Sequence, residues 1–184
     1  MPSYERPVYL NCPFDDLFAP LFHAAVLTIA ALGFTPRCAR ESEGESDPLQ
    51  SEGADNLPSF NMPLELGMAL SLRYQGKVSG NPHNWVALVP EGFVHHKFVS
   101  DLAGVDIPPH DQTPAKVIRA ISGWLTLQPD YSPPSPSPRT ILEAYPQLEE
   151  LLEKSRNDAL GHLTWPVIAG NVERVVTSLA EAEM

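Results

Sequence analysis

Residues 7–39, PVYLNCPFDDLFAPLFHAAVLTIAALGFTPRCA, decide the fold. Residues 7–11 are rich in β-formers and end at a polar turn, the pattern of a buried first strand. A helix follows. Asp15 or Asp16 is placed to cap it, Pro20 falls in its first turn, and Gly33 closes it in the left-handed conformation that glycine adopts without strain. Between those signals nearly every position is apolar, which implies a helix covered on more than one side. His23, set inside that run, reads as a satisfied core residue. Residues 34–39 (FTPRCA) form a second strand, and Pro36, which lacks a ladder donor, favours a sheet edge.

The same alternation continues outward. Phe60 or Asn61 begins another helix, with Pro63 in its first turn and Leu64, Leu66, Met68, Ala69, Leu70 and Leu72 along it. Residues 85–89 (WVALV) are an unbroken apolar run between Asn84 and Pro90, as expected of a central parallel strand. Residues 93–102 read as helix and 105–107 as a short strand; Thr113 then caps a helix that starts at Pro114 and runs to about Leu127. The expected architecture is α/β: a flavodoxin-like (Rossmann-like) parallel sheet with helices on both faces and strands near Val8, Phe34, Trp85 and Val105. A doubly wound sheet should place a helix and a strand between Ala39 and Phe60, where the chain instead reads ESEGESDPLQSEGADNLPS without any apolar period. Glu41, Glu43, Glu45, Asp47, Glu52 and Asp55 stand in residues 41–56 with no Lys or Arg, so this stretch holds −6 of the formal charge of −11. It is expected to be a disordered acidic loop, with one central helix–strand unit missing and the strand near Val8 either pairing directly with the one near Trp85 or leaving a gap filled by side chains.

Proline marks the boundary. Of 20 prolines, five fall in residues 129–138 (PDYSPPSPSP), an extended, semi-rigid linker. The predicted organisation is therefore an α/β domain over 1–128, a Pro/Ser-rich linker over 129–139 and a helical tail over 140–184. Ile141, Leu142, Tyr145, Leu148, Leu151 and Leu152 recur at spacings of three and four, with Pro146 as a break or a new helix start, and residues 165–179 form a second helical piece. An apolar stripe of that size needs cover, from the sheet domain, from a second copy or from a partner protein.

Composition narrows the partners. The 184 residues are 43% hydrophobic and 19% charged, ordinary for one globular domain with an appendage. With 12 Lys and Arg against 23 Asp and Glu, no segment neutralises a run of phosphates, so neither nucleic acid nor an anionic membrane surface is an expected partner. The longest apolar run, residues 17–32, is interrupted by Pro20 and His23 and is too short to span a bilayer. The opening residues, MPSYERPVYLNCPF, show no secretory signal pattern, and the expected location is the cytoplasm, where Cys12 and Cys38 stay thiols near neighbouring strand ends. No zinc spacing, GxGxxG or phosphate loop is present, so neither metal nor cofactor is expected.

Open α/β sheets bind ligands at strand ends and at the helix N-termini that follow them. Two segments occupy such positions. In residues 9–16 (YLNCPFDD), Asn11 offers a donor and an acceptor, Phe14 a stacking face, and Asp15 or Asp16 an acceptor for a ribose hydroxyl. Residues 60–69 (FNMPLELGMA) put Glu65 on the opening turns of a helix beside Gly67, whose missing side chain permits close approach. Cys12 is a poor nucleophile candidate because no His has the spacing to activate it.

YLNCPF before an apolar helix, and later NMPLELGMA, resemble the strand end and ExGxA-like helix of the nucleoside 2-deoxyribosyltransferase-like group, whose fold is related to that of TIR domains. NCPFDD, GFTPRCARE and FNMPLELG in this order are similar to a set of small bacterial proteins carrying the same phrases. The resemblance covers residues 8–124. It implies that Glu65 attacks the anomeric carbon of a nucleoside or polarises the ribose in NAD cleavage. It also implies that Tyr9, Asn11, Pro13, Phe14, Asp15 and Asp16, with Asn61 and Met62, line the nucleoside pocket. Relatives carry a second acidic residue on the helix–strand unit that the acidic stretch replaces here, and glycosyl transfer ordinarily uses two carboxyl groups. Two readings follow: a nucleoside- or nucleotide-binding protein that cleaves or transfers an N-glycosidic bond, or a catalytically degenerate relative acting as a protein-interaction or nucleotide-sensing module.

Overall fold

The computed structural model describes residues 6–42, 67–69, 71–73, 75, 84–88 and 110–182. The chain is mixed α/β and mostly helical. It divides into two compact units, Met1–Glu43 with Pro109–Met184, and Gly44–Pro108. The proline run of residues 129–138 lies inside the first unit.

That unit opens with a βαβ segment: β1 (Pro7–Leu10), α1 (Ala19–Ala31) and β2 (Thr35–Cys38). β1 and β2 pair in parallel, with Pro7 opposite Thr35 and Leu10 opposite Cys38. α1 ends as its sequence dictates. Gly33, at φ +80°, lets its own N–H reach the Ala30 carbonyl and the Phe34 N–H reach the Ile29 carbonyl, a Schellman closure. Every residue from Leu21 to Ile29 is buried, and the cover that an all-round apolar helix requires comes from three later helices. These are α2 (Pro114–Leu125), α3 (Pro138–Asp158) and α4 (Trp165–Ala182). Val117, Ile118, Ile121 and Leu125 of α2, Ile141, Leu148 and Leu152 of α3, and Ile168, Val172 and Val175 of α4 form the facing core. The apolar stripes of the C-terminal helices are thus covered within the chain.

Pro146 neither breaks nor starts a helix; it lies within α3. Its missing N–H would have served the Leu142 carbonyl. Both residues are exposed, so the unserved carbonyl is open to water while Ile141, Ala144, Leu148 and Leu152 anchor the opposite face. Asn171 on α4 donates to Ser155 Oγ on α3 and to the Val167 carbonyl, both at 3.0 Å, so a buried amide joins the two helices. His23 is the satisfied core residue its setting implied: 3% exposed, it donates from Nδ1 to Glu149 Oε1 at 2.9 Å.

The sheet differs from the expected one. Among the described residues it has two strands. β1 pairs with β2, and Trp85, Val86, Ala87 and Leu88 are half-buried without strand structure. A short apolar run has no period that separates a buried strand from any other buried segment, so WVALV carried less information than its composition suggested. The acidic stretch also begins differently: Ala39–Ser42 is a turn of 3-10 helix. Glu41 there receives the Arg37 guanidinium and the Cys38 N–H, at 2.7 and 3.0 Å, so its charge closes the end of β2. In the second unit residues 67–69, 71–73 and 75 are helical. The expected helix at 93–102, the strand at 105–107 and the rest of the acidic stretch, residues 43–56, lie outside the described residues.

Candidate functional site

The site is built on the loop that leaves the C-terminal end of β1. Residues 11–18 carry the chain from Leu10 to α1, and their side chains divide by exposure. Asn11, Pro13, Asp15, Asp16 and Leu17 are exposed, and so is Tyr9 on β1; Phe14 and Phe18 are half-buried. Phe14 is held edge-on against the buried ring of Phe22 at 5.3 Å, which makes it an anchor of the loop rather than a freely presented stacking face.

The two aspartates have separate duties. Asp15 Oδ1 accepts from the Phe18 N–H at 2.8 Å, and its carbonyl accepts from the Ala19 N–H at 3.0 Å, so Asp15 shapes the turn that launches α1. Asp16 has no hydrogen bond or ion pair among the described residues and points an exposed carboxylate from the loop surface. Asn61, Met62 and Glu65 lie outside the described residues.

The thiols of Cys12 and Cys38 neighbour each other where the two strands end. Burial, and then the Cys38 thiol beside it, push Cys12 up to about 12; burial pushes Cys38 up to about 11. Both are protonated, weakly reactive thiols at neutral pH, consistent with packing rather than nucleophilic chemistry. Arg40 crosses from the end of β2 to the Leu163 carbonyl between α3 and α4, fixing this corner of the unit.

One further residue comes to the loop without any sequence motif to announce it. His110, 4% exposed, stands just before α2 with its ring perpendicular to Phe18 at 6.3 Å. Its Nδ1 accepts from the Gln112 N–H at 3.0 Å, and its carbonyl accepts from the Thr113 N–H at 2.9 Å. The signal available in sequence was positional: a histidine between an expected strand end and a Thr-Pro helix start.

Among the described residues no three His, Cys, Asp or Glu side chains gather as metal ligands, and no helix is long and apolar enough to cross a membrane. An open depression of about 540 Å³ runs along Gly170, Glu173, Arg174, Thr177, Ser178 and Glu181, but it is the exposed face of α4 alone. Comparison of the chain with protein-family models, with curated proteins and with solved structures finds no match.

Proposed function

We propose that the chain binds a nucleoside or nucleotide, an NAD-like molecule included, on the loop of residues 11–18, and cleaves or transfers an N-glycosidic bond with Glu65 as the catalytic carboxylate that the family resemblance implies. The observation that carries the reading is the β1–α1–β2 unit. Its strands are parallel, its crossover helix starts from the loop at the C-terminal end of β1, and that loop exposes Asn11 and Asp16. The reading takes this unit as the opening of a flavodoxin-like sheet. Asn11 supplies amide recognition, Tyr9 and Pro13 supply apolar surface, and Asp16 is the carboxylate available for a ribose hydroxyl, since Asp15 is engaged at the start of α1.

In the chemical step the Glu65 carboxylate attacks C1′ of the sugar or stabilises its oxocarbenium-like transition state, while the C1′–N bond breaks and the base leaves. The leaving base takes its proton from solvent, and of the two loop carboxylates only Asp16 is not held at the start of α1. The reaction class is deoxyribosyl transfer or NAD-type glycohydrolysis.

The second reading is binding without turnover, as a nucleotide-sensing or interaction module. The hydrogen bond that Asp15 accepts from the Phe18 N–H favours it, because it engages one of the two loop carboxylates in the turn before α1. Incubation of the chain with deoxynucleosides, nucleotides and NAD, reading free base, separates the two. Release that disappears in Glu65→Gln while binding persists supports the enzyme. Binding without release supports the module, and neither binding nor release overturns both.

A further inference from the structure

Directly before α2, two consecutive non-glycine residues stand in the left-handed region, Asp111 at φ +47° and Gln112 at φ +53°. L side chains rarely adopt this backbone, and such strain persists only where the surroundings over-determine it. Three interactions do so. The Gln112 N–H donates to His110 Nδ1 at 3.0 Å, the Thr113 N–H donates to the His110 carbonyl at 2.9 Å, and Lys116 Nζ pairs with Asp111 Oδ2 at 2.9 Å.

The result is a histidine with one allowed tautomer. A ring nitrogen that accepts a backbone N–H carries no proton, so in neutral His110 the proton is on Nε2. Nε2 has no hydrogen-bond partner among the described residues, and it is not among the polar atoms sealed from solvent. The rest of the ring is buried and edge-on to Phe18, the residue that ends the β1–α1 loop. The strained turn therefore fixes the tautomer of a ring that packs against Phe18, where the loop of the proposed site meets α1. Burial holds the ring below the ordinary histidine value of 6.5, more than the Asp111 charge raises it, so the donor is neutral at pH 7.

We infer that His110 contacts the base of the bound nucleoside, its Nε2–H donating to a ring nitrogen or carbonyl oxygen of that base. The inference rests on the nucleoside reading above. The acceptor is assigned as uncharged for electrostatic reasons. Asp15 and Asp16 lie on the loop, Asp111 adjoins the histidine, and of the cations nearby Lys116 is paired with Asp111 and the Arg40 guanidinium by Cys12 is engaged with the Leu163 carbonyl. A phosphate would meet these carboxylates, whereas a heteroaromatic ring beside Phe18 meets an apolar edge and a neutral donor.

The test uses the full chain labelled with ¹⁵N-histidine, with adenosine, thymidine and inorganic phosphate as probes. The expected spectrum at pH 7 shows His110 with an unprotonated Nδ1 and a protonated Nε2. The Nε2 resonance should move on addition of adenosine or thymidine and stay still with phosphate. His110→Phe should weaken nucleoside binding about fivefold to tenfold, and His110→Gln, which keeps an N–H near the Nε2 position, should recover part of it. If His110→Phe fails to fold, the wild-type Nε2 shift decides alone. A proton on Nδ1 overturns the inference, and so does a response to phosphate alone. Nucleoside binding that moves the amides of residues 11–18 but leaves Nε2 unmoved overturns it while sparing the nucleoside reading. Absence of any nucleoside binding overturns both.

Discussion

His23 Nδ1 donates to Glu149 Oε1 across 2.9 Å, joining α1 to a helix that begins more than a hundred residues later. Tyr145, one turn before Glu149, adds a second tie by donating to the Pro20 carbonyl at 3.0 Å. The Pro/Ser-rich stretch between these segments is a bridge within one body, because polar and apolar contacts alike return the C-terminal helices to α1.

The His23–Glu149 hydrogen bond predicts an acid-side stability change. Burial alone would raise the Glu149 carboxyl, but the His23 hydrogen bond and charge, the Tyr145 hydroxyl and Arg156 together hold it below the ordinary value of 4.5. A carboxyl lowered on folding adds stability that is complete above its unfolded value and is lost as pH falls through the folded one. Glu149→Gln should cost about 1–2 kcal/mol at pH 7, less than a sealed pair because Glu149 is 37% exposed. Urea unfolding at pH 7 and again below pH 4 checks it, and the gap between wild type and variant should narrow at the lower pH.

The two helix ends make opposite predictions about glycine. α3 closes with the same pair of hydrogen bonds as α1, but Leu160, at φ +53°, holds the position that Gly33 holds in α1. Leu160 is 98% exposed and gains little from its side chain. Leu160→Gly should stabilise by about 1 kcal/mol by relieving the left-handed backbone, and Gly33→Ala should cost a similar amount although its Cβ would meet nothing. Denaturant midpoints of the two variants should move in opposite directions.

The C-terminal helices are core, not appendage. Leu148 is fully buried, and Leu148→Ala should destabilise the unit by about 2–5 kcal/mol. Chain ending at residue 137 should lose the cover of α1 and unfold, which circular dichroism and urea titration would register.

Cys12 and Cys38 should resist alkylation at pH 7.5 in the folded chain, because burial keeps both thiols protonated up to about 12 and 11. Mass spectrometry after iodoacetamide treatment should find both unmodified until denaturant is added. Rapid labelling of the folded protein would show that the strand ends open.

Much of the first unit was legible. Pro20 and Gly33 bracket α1, Thr113 and Pro114 open α2, and both C-terminal helices declare their apolar spacing, because capping and periodicity are local properties. What failed was non-local. Pro146 reads as a break because sequence does not reveal that its unserved carbonyl is open to water while the opposite face is anchored. The stripe on α3 needs a partner surface, and nothing local shows that α1 provides it. Glu41 looks like one more charge in an acidic run until Arg37, four residues earlier, is placed against it. Of the candidate site, Asn11 and Asp16 were legible as strand-end polar residues, whereas His110 depends on a strained turn that no periodicity encodes.

The most direct test of the proposed site is an amide titration of the ¹⁵N-labelled chain with deoxynucleosides, nucleotides and NAD, mapped residue by residue. A nucleoside seated at the end of β1 should shift the amides of Asn11, Phe14, Asp15, Asp16 and Phe18 saturably, and Asn11→Ala combined with Asp16→Ala should abolish those shifts while leaving α3 and α4 unperturbed. Saturable shifts confined to other parts of the chain, or none with any of these compounds, would contradict the account.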